Sequence, residues 1–206
     1  MRNTERVNLP AIGAPSRVSA SSSSSVRKIA RYRTSVPRFA NFLYKIATFN
    51  EAETLVELGT ALGTTTLYLS SVSSAKQVFT LEGNPDLAQV SQQVFDAWPV
   101  QNITLKRGKI SDTLPALLSK TGQIDFVYID ANHRYEATLQ YFNELLPHMS
   151  EKGIMVLDDI YWSAGMRQAW QDIHRDNRVT LSIDLFRAGV IFFRPLRKKQ
   201  HYFLNY

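Results

Sequence analysis

The sequence contains no cysteine, which excludes disulfide bonds and thiolate–zinc sites. It has no run of the roughly 18 apolar residues that a membrane-spanning helix needs. It also lacks the apolar stretch of about 7–15 residues that a secretory signal carries near its start. We therefore expect a cytoplasmic protein with no membrane contact. An organellar transit peptide is the alternative, because the first residues are rich in Arg and Ser and poor in acids.

Acidic residues are scarce at both ends of the chain. Residues 1–50 hold nine Lys and Arg against Glu5 alone, and residues 194–206 hold four basic residues and no acid. Residues 51–193 instead hold 17 acidic and 11 basic residues. A domain that reads nucleic acid carries positive charge on its folded surface. The distribution therefore disfavours nucleic acid as a partner and favours solubilising ends.

Composition divides the chain into four parts. Residues 1–30 are predicted to be a mostly disordered, Ser- and Arg-rich basic arm, because little apolar surface is available to offset the entropy of ordering. Residues 31–53 form an N-terminal helical segment, since apolar residues recur there at helical spacing. The main domain spans residues 54–194, and a basic, aromatic tail spans residues 195–206.

Within the main domain, short apolar runs alternate with helical patterns. The predicted strands are Thr54–Leu58, Gln77–Leu81, Ile103–Arg107, Ile124–Ile129 and Gly153–Leu157, and the helices after them are Gly63–Val72, Pro85–Trp98, Asp112–Lys120, Tyr135–Met149 and Ala164–His174. Within the fourth of these strands, Phe126-Val127-Tyr128-Ile129 has no solvent face, which is typical of a parallel strand covered by helices on both sides.

Two further strands, Val179–Phe186 and Val190–Phe193, flank a short turn and predict a closing hairpin. We therefore predict an α/β fold, a Rossmann-like, doubly wound and mostly parallel seven-stranded sheet with a C-terminal antiparallel hairpin. The outer edge of that hairpin is a candidate surface for a homodimer. A ligand is expected at the carboxyl ends of the central strands.

The loop after the first predicted strand reads Glu57-Leu58-Gly59-Thr60-Ala61-Leu62-Gly63-Thr64. Glycine at position 59 permits a tight turn and lets a ligand lie against the backbone. A dinucleotide fingerprint would need G-x-G-x-x-G. Ala61 and Thr64 occupy its second and third glycine positions, so the loop disfavours a nicotinamide cofactor.

An acid also follows the second predicted strand. Glu82 stands at its tip, where a carboxylate can accept hydrogen bonds from both ribose hydroxyls of an adenosine. The alternative is an ordinary turn, Glu82-Gly83-Asn84-Pro85, leading into the next helix.

Three carboxylates follow the fourth and fifth predicted strands. Asp130 ends the fourth strand, and Asp158-Asp159 end the fifth. Neighbouring parallel strands end at the same crevice, where three carboxylates would repel one another unless a cation or hydrogen-bond donors lie among them. Oxygen ligands of this kind suit Mg²⁺, Mn²⁺ or Ca²⁺. The alternative is that Asp158 and Asp159 cap the following helix.

The E-x-G-x-x-x-G segment resembles the first motif of class I S-adenosylmethionine-dependent methyltransferases. Residues 54–194 resemble the metal-assisted small-molecule O-methyltransferases, a group that includes catechol, caffeoyl-CoA and antibiotic-sugar types. The resemblance implies that Glu57 holds the methionine end of S-adenosylmethionine and that a loop at Gly108 and Ile110 contacts its adenine. The implied cofactor-binding residues are Glu57, Gly59, Ala61, Gly63, Thr64, Glu82, Gly83, Gly108, Ile110 and Asp130.

The same resemblance implies a metal bound by Asp130, Asp158 and Asp159, which would bind two acceptor oxygens and lower the pKa of a hydroxyl. Asp130 and His133 are the candidate catalytic residues, with His133 as the general base because its ordinary pKa lies near neutral pH. His133 could instead be a helix-start histidine bonded to the backbone. Tyr161 and Trp162 either face the acceptor or pack beneath the next helix.

The sequence thus predicts transfer of a methyl group from S-adenosylmethionine to a hydroxyl of a small molecule, with divalent-metal assistance. Two alternatives are open. One is an RNA or protein methyltransferase, supported only by the basic ends, and the other is a non-catalytic adenosine-binding protein of the same fold.

Overall fold

The computed structural model describes residues 6–8, 23–25, 28–29 and 37–205. Most of residues 1–30, for which the sequence predicts disorder, lies outside the described residues. Within that arm, β1 (Arg6–Asn8) pairs antiparallel with β2 (Ser23–Ser25). Two apolar side chains of the arm, Val7 and Ile29, are buried in a small cluster with Leu62, Leu87 and Val90 of the main domain.

From residue 37 onward helices and strands alternate. The helices are α1 (Pro37–Phe49), α2 (Thr64–Ser70), α3 (Pro85–Asp96), α4 (Ile110–Leu118), α5 (Tyr135–Leu145), which a 3₁₀ turn at Leu146–His148 extends, and α6 (Ala164–Arg175). The strands are β3 (Thr54–Leu58), β4 (Gln77–Glu82), β5 (Ile103–Arg107), β6 (Ile124–Ile129), β7 (Met149–Leu157), β8 (Leu181–Asp184), β9 (Gly189–Phe192) and β10 (Gln200–Phe203). Among the described residues no helix is long and apolar enough to cross a membrane.

The main sheet has the strand order β10-β8-β9-β7-β6-β3-β4-β5. Strands β3 to β7 are mutually parallel, whereas β9 runs antiparallel to both β7 and β8. The predicted mostly parallel sheet with a C-terminal antiparallel hairpin is therefore confirmed.

The predicted count of seven strands is wrong, because this sheet has eight. The additional strand, β10, lies in the segment predicted to be a tail and pairs parallel with β8. Three of its four residues are exposed, so it carries no alternation of apolar and polar residues that would mark a strand. It is held by backbone bonds, among them Gln200 N–H to Thr180 O (2.9 Å) and Leu204 N–H to Asp184 O (2.9 Å). The ring of His201 adds a hydrogen bond with the Ser182 hydroxyl (2.7 Å) and stacks on His174. β10 covers the hairpin edge on which the homodimer is predicted, and that homodimer stays a prediction.

Apolar clusters cover both faces of the sheet. All six residues of β6 are buried, and successive side chains of a strand point to opposite faces. Phe126 and Tyr128 accordingly belong to one cluster, together with Phe39 of α1, and Val127 belongs to the other, together with Phe142 of α5. This two-sided burial explains why Phe126–Ile129 reads as an uninterrupted apolar run.

The register of the central strands aligns their carboxyl ends. Leu58 of β3 pairs with Ile129 of β6, which pairs in turn with Leu157 of β7. The residues that follow these three strands therefore lie side by side at one edge of the sheet.

Candidate active site

Backbone hydrogen bonds join the loops at this edge. Asp130 N–H donates to Leu58 O (2.8 Å), and Asp158 N–H donates to Ile129 O (2.9 Å). The structure therefore brings together Gly59, Asp130 and Asp158, as the sequence predicts from the order of strands and helices.

Left-handed backbone conformations concentrate in the same loops. Of the six described non-glycine residues with positive φ, four follow β3, β6 or β7, and these are Ala61, Asn132, His133 and Asp159. Such conformations cost of order 1–3 kcal/mol each and cluster at functional sites. The backbone at this edge is thus held in a shape that its residues do not prefer.

Two glycines of the first loop are fixed by close packing. Gly59 has φ +101°, and a Cβ atom there would lie 2.1 Å from the carbonyl oxygen of Asp130. Gly63 has φ +78°, and its Cβ would lie 2.5 Å from the ring of Phe95 on α3. Gly59 therefore lets the first loop, which follows β3, lie directly against the loop that follows β6. Gly63 lets α2 pack against α3.

Glu57 is fully buried at the end of β3. Its Oε2 atom accepts hydrogen bonds from the hydroxyls of Thr66 and of Thr80, the latter at 2.7 Å. Among the described residues no group donates a hydrogen bond to its buried Oε1 atom. Burial raises the pKa of Glu57 to about 7 against the lowering effect of the two hydroxyls. A buried acceptor without a donor is costly, and a cationic ligand group would satisfy it.

Glu82 organises the first loop. Its Oε2 atom accepts a hydrogen bond from Ala61 N–H (2.9 Å), and its Oε1 atom accepts one from Asn84 N–H (2.8 Å). Burial raises the pKa of Glu82. Asn84 also caps α3, so the turn that was the alternative interpretation is present as well. A backbone hydrogen bond from Gly83 also lowers the pKa of Glu82, and the lone-pair capacity that remains on the carboxylate is left for a ligand donor.

The predicted adenine loop lies beside Glu82. Gly108 has φ +130°, and its N–H donates to Glu82 O (2.9 Å). A Cβ placed on Gly83 would lie 3.8 Å from Gly108 O. Ile110 begins α4 and packs against the apolar core, and Thr64 begins α2. The structure thus places the predicted cofactor-binding residues at the carboxyl ends of β3 and β4 and in the loops and helix starts that follow β3, β4, β5 and β6.

Asp158 is engaged by four donors. Arg187 binds it through two parallel contacts, Nε to Oδ1 (3.1 Å) and Nη2 to Oδ2 (3.0 Å). Tyr128 OH donates to Oδ2 (2.7 Å), and Asp159 N–H donates to Oδ1 (2.9 Å). The Asp158 side chain is only 2% exposed, so this network satisfies a buried carboxylate.

Asp130 and His133 form a pair beside this network. The Nε2 atom of His133 lies 3.4 Å from Oδ1 of Asp130, slightly longer than a typical hydrogen bond. Burial, followed by the charges of Asp158 and Asp159, raises the pKa of Asp130 well above its ordinary value, although Arg187 opposes this. The ring of Trp162 lies 6.4 Å from that of His133, centroid to centroid. Burial and the neighbouring carboxylates thus favour the protonated form of Asp130, whose carboxyl lies beside the His133 ring.

The aromatic pair after β7 is divided between two roles. Tyr161 donates its hydroxyl hydrogen to Asp184 Oδ2 (2.6 Å), so its hydroxyl is tied to the body of the domain. Trp162 stays beside His133 at the strand-end loops.

In this arrangement Asp130, Asp158 and Asp159 do not fit a bound divalent cation. Within the described residues no group of three or more His, Asp or Glu side chains is placed to hold a metal. The guanidinium of Arg187 already engages both carboxylate oxygens of Asp158. The acids do not serve the alternative role either, because Ser163 caps α6 by accepting a hydrogen bond from Met166 N–H (3.1 Å).

Several site residues escape the sequence analysis. Arg187 lies in the hairpin turn, and its proximity to Asp158 depends on the pairing of β7 with β9. Thr80 and Tyr128 are polar groups inside otherwise apolar strands, a signal that could have identified them. Thr66 lies on α2, nine positions after the acid it contacts.

Comparison with known proteins supports the sequence resemblance. The chain is 29% identical over 126 residues to a catechol O-methyltransferase of Niastella koreensis, covering 60% of this chain and 56% of that protein. It is 27% identical over 146 residues to an O-methyltransferase of Aspergillus hancockii, covering 66% of this chain and 56% of that protein. The chain thus spans just over half the length of each of these relatives.

Solved structures share the fold. An O-methyltransferase from Bacillus cereus in complex with S-adenosylhomocysteine superposes with a TM-score of 0.69 at 20% identity, covering 81% of this chain and 87% of that chain. The O-methyltransferase TomG from Streptomyces achromogenes, in complex with S-adenosylmethionine, gives 0.69 at 17% identity, covering 82% and 86%.

The family match covers the strand-end loops themselves. Residues 56–160, about half of the chain, match the family described as a methyltransferase domain. That segment runs from β3 through Asp159. The chain therefore belongs to this methyltransferase-domain family, which confirms its resemblance to class I S-adenosylmethionine-dependent methyltransferases.

Proposed function

We propose that the protein transfers a methyl group from S-adenosylmethionine to a hydroxyl oxygen of a small molecule. The observation that carries this proposal is the buried Oε1 atom of Glu57 at the end of β3, which has no hydrogen-bond donor among the described residues. The loop that follows β3 contacts Asp130 of the second acidic cluster. The O-methyltransferase relatives support oxygen as the acceptor atom.

The residues fit the cofactor. Glu57 would accept the ammonium of its methionine end, and the first loop, held open by Gly59, would lie along it. Glu82 accepts backbone hydrogen bonds from Asn84, Ala61 and Gly83, and its remaining lone-pair capacity would accept a hydrogen bond from a ribose hydroxyl. Gly83 and Gly108 leave space beside Glu82, and Ile110 would pack against the adenine.

When bound, S-adenosylmethionine supplies an electrophilic methyl group on its sulfonium. The Asp130–His133 pair takes the proton that the acceptor hydroxyl loses, because the two side chains lie 3.4 Å apart and the pKa of Asp130 is raised. Trp162 gives the acceptor an apolar wall next to this pair, which suits a flat molecule such as a catechol.

Neither a metal nor a macromolecular acceptor is part of this proposal. The carboxylates as arranged do not fit a cation, so no step is assigned to one. The RNA or protein alternative has only the basic ends in its favour. The non-catalytic alternative has no support from the family match, which includes Asp130 and His133.

The test is transfer of labelled methyl from S-adenosylmethionine to catechol and related hydroxyl compounds. His133→Gln should lower kcat by about 10²–10⁴ while leaving S-adenosylhomocysteine binding intact. His148→Gln is the matched control, since His148 lies on the 3₁₀ turn after α5, and it should leave kcat unchanged. Transfer to no hydroxyl compound by a protein that binds S-adenosylhomocysteine would contradict O-methylation. Full activity of His133→Gln would remove His133 from the mechanism.

A further inference from the structure

The guanidinium of Arg187 is held by two contacts, one with Asp158 and one with the ring of Phe39. It grips Asp158 in the bidentate geometry that guanidinium and carboxylate groups match best. Its Cζ atom also lies 4.3 Å from the ring centroid of Phe39 on α1, within the range of a cation–π contact. Burial opposes its charge, yet the hydrogen bond and the charge of Asp158 raise the pKa of Arg187 above its ordinary value. The guanidinium of Arg187 is thus a permanent positive charge beside Asp158 and Asp130.

The remaining face of Arg187 is open. Its side chain is 39% exposed, and among the described residues no group accepts a hydrogen bond from its Nη1 atom. The two bonds to Asp158 use Nε and Nη2, so the unused N–H groups lie on the side of the guanidinium away from Asp158. This side is available to an oxygen of a bound molecule.

We propose that Arg187 is the resident cation of the acceptor site: it occupies the place of a divalent metal on Asp158 and donates a hydrogen bond to a second oxygen of the acceptor. This inference rests on the proposed function and deepens it. The acceptor is then a neutral small molecule with an oxygen next to the hydroxyl that is methylated, because Arg187 offsets only one of the acids around it. Arg187 neutralises Asp158 without a metal, so methyl transfer proceeds in EDTA.

The first test is titration of Mn²⁺ into the full chain, followed by calorimetry and by the electron paramagnetic resonance signal of free Mn²⁺. The wild type should show no saturable binding tighter than about 1 mM. Arg187→Met should gain one site, because Asp158 loses its guanidinium partner and its side chain can then turn toward Asp130 and Asp159. The double variant Arg187→Met, Asp158→Asn should lose that site again. Arg197→Met, which alters an exposed arginine in the tail, is the control and should behave as the wild type.

Two results would overturn the proposal. One is a tight Mn²⁺ site in the wild type that Asp158→Asn abolishes. The other is an Arg187→Met protein, folded by circular dichroism, that gains no Mn²⁺ site. These titrations need neither cofactor nor acceptor, so their failure is distinguishable from a failure to bind S-adenosylhomocysteine, which would remove the proposed function instead.

If Arg187→Met does not fold, Arg187→Lys provides the second measurement. Lysine keeps the charge on Asp158 but cannot hold two oxygens in one fork. The KM for the acceptor should rise about tenfold with kcat within about threefold, the pattern of lost binding shared by ground and transition states. An unchanged acceptor KM would contradict the role of Arg187 in binding.

Discussion

The two ends of the site treat buried acids in opposite ways. The cofactor end, made of Glu57, Glu82 and the first loop, surrounds its carboxylates with neutral donors and leaves one oxygen of Glu57 unsatisfied. The acceptor end, made of Asp130, His133, Asp158 and Arg187, meets its most buried acid with a guanidinium, a hydroxyl and an amide. The first end is therefore incomplete without a cationic ligand, whereas the second already contains its cation.

This difference predicts that substitutions at the two ends affect different properties of the protein. A carboxylate that lacks a partner gains most when a cation arrives, because the ligand removes a desolvation cost that the free protein bears. A carboxylate that is already paired gains little from a ligand. A substitution that removes its partner leaves a buried charge unpaired and lowers the free energy of unfolding. Changes at the cofactor end should therefore alter ligand affinity, and changes at Asp158 should alter stability.

The largest effect is expected where the two ends touch. Gly59→Ala places a Cβ atom 2.1 Å from the Asp130 carbonyl oxygen at φ +101°. It should lower the free energy of unfolding by about 3 kcal/mol or more and abolish S-adenosylhomocysteine binding, as denaturant titration and calorimetry would show. Gly122→Ala is the control, since nothing lies within 4 Å of its Cβ position. Equal stability of the two variants would mean that the loops are not in contact.

Asp158→Asn breaks the acceptor end alone. Removing one partner of a buried ion pair typically costs about 3–5 kcal/mol. We expect about 2–3 kcal/mol here, since water partly screens the 39% exposed Arg187. S-adenosylhomocysteine affinity should stay within about threefold of the wild type. Asp96→Asn, at an exposed acid on α3, should leave stability unchanged. A loss of cofactor-binding free energy as large as the loss of stability would show that the cofactor end and the acceptor end are not independent.

The pH dependence of stability reports on Glu57. Burial raises its pKa in the folded protein to about 7 from 4.5, so the folded state holds a proton that the unfolded state has released. The contribution is fully present below pH 4.5 and is lost as the pH rises through 7. Between pH 5.5 and pH 8 the ligand-free protein should lose about 2 kcal/mol from this group.

Other groups act over part of the same range. Burial lowers the pKa of His174 to about 4, which costs stability as the pH falls below 6.5. Comparison of the wild type with Glu57→Gln isolates the contribution of Glu57 from that of His174. Identical pH profiles of the two proteins in denaturant titrations would show that Glu57 does not titrate in this range.

The sequence predicts the central strands well for a physical reason. Strands β3, β5 and β6 have the predicted bounds, because short apolar or alternating runs end at Gly, Asp or polar turns. β10 is missed because backbone bonds to an open edge and the contacts of His201 hold it, and neither produces an apolar pattern in the sequence. β7 begins at Met149, earlier than predicted, because Glu151 and Lys152 interrupt its apolar pattern.

The candidate site divides in the same way. Glu57, Glu82, Asp130 and Asp158 are predictable because each is an acid at the end of an apolar strand. Arg187 is not predictable from position, because it follows β8 and reaches Asp158 only through the order of strands in the sheet. The residue that we propose takes the place of a metal is thus one that no local sequence pattern connects to the acids.

Among the residues that the structure describes, the buried Oε1 atom of Glu57 lacks a hydrogen-bond donor, which a cationic ligand would supply. The most direct test is calorimetric titration of S-adenosylhomocysteine into the wild type, Glu57→Gln and the exposed control Glu53→Gln, at pH 6 and pH 8 in EDTA. We predict one binding site whose affinity rises about tenfold from pH 6 to pH 8 in the wild type and in the control, as Glu57 ionises. Glu57→Gln should bind about tenfold more weakly at pH 8 and show no such rise. Absence of binding to the wild type, or equal affinity and pH dependence in Glu57→Gln, would contradict the account.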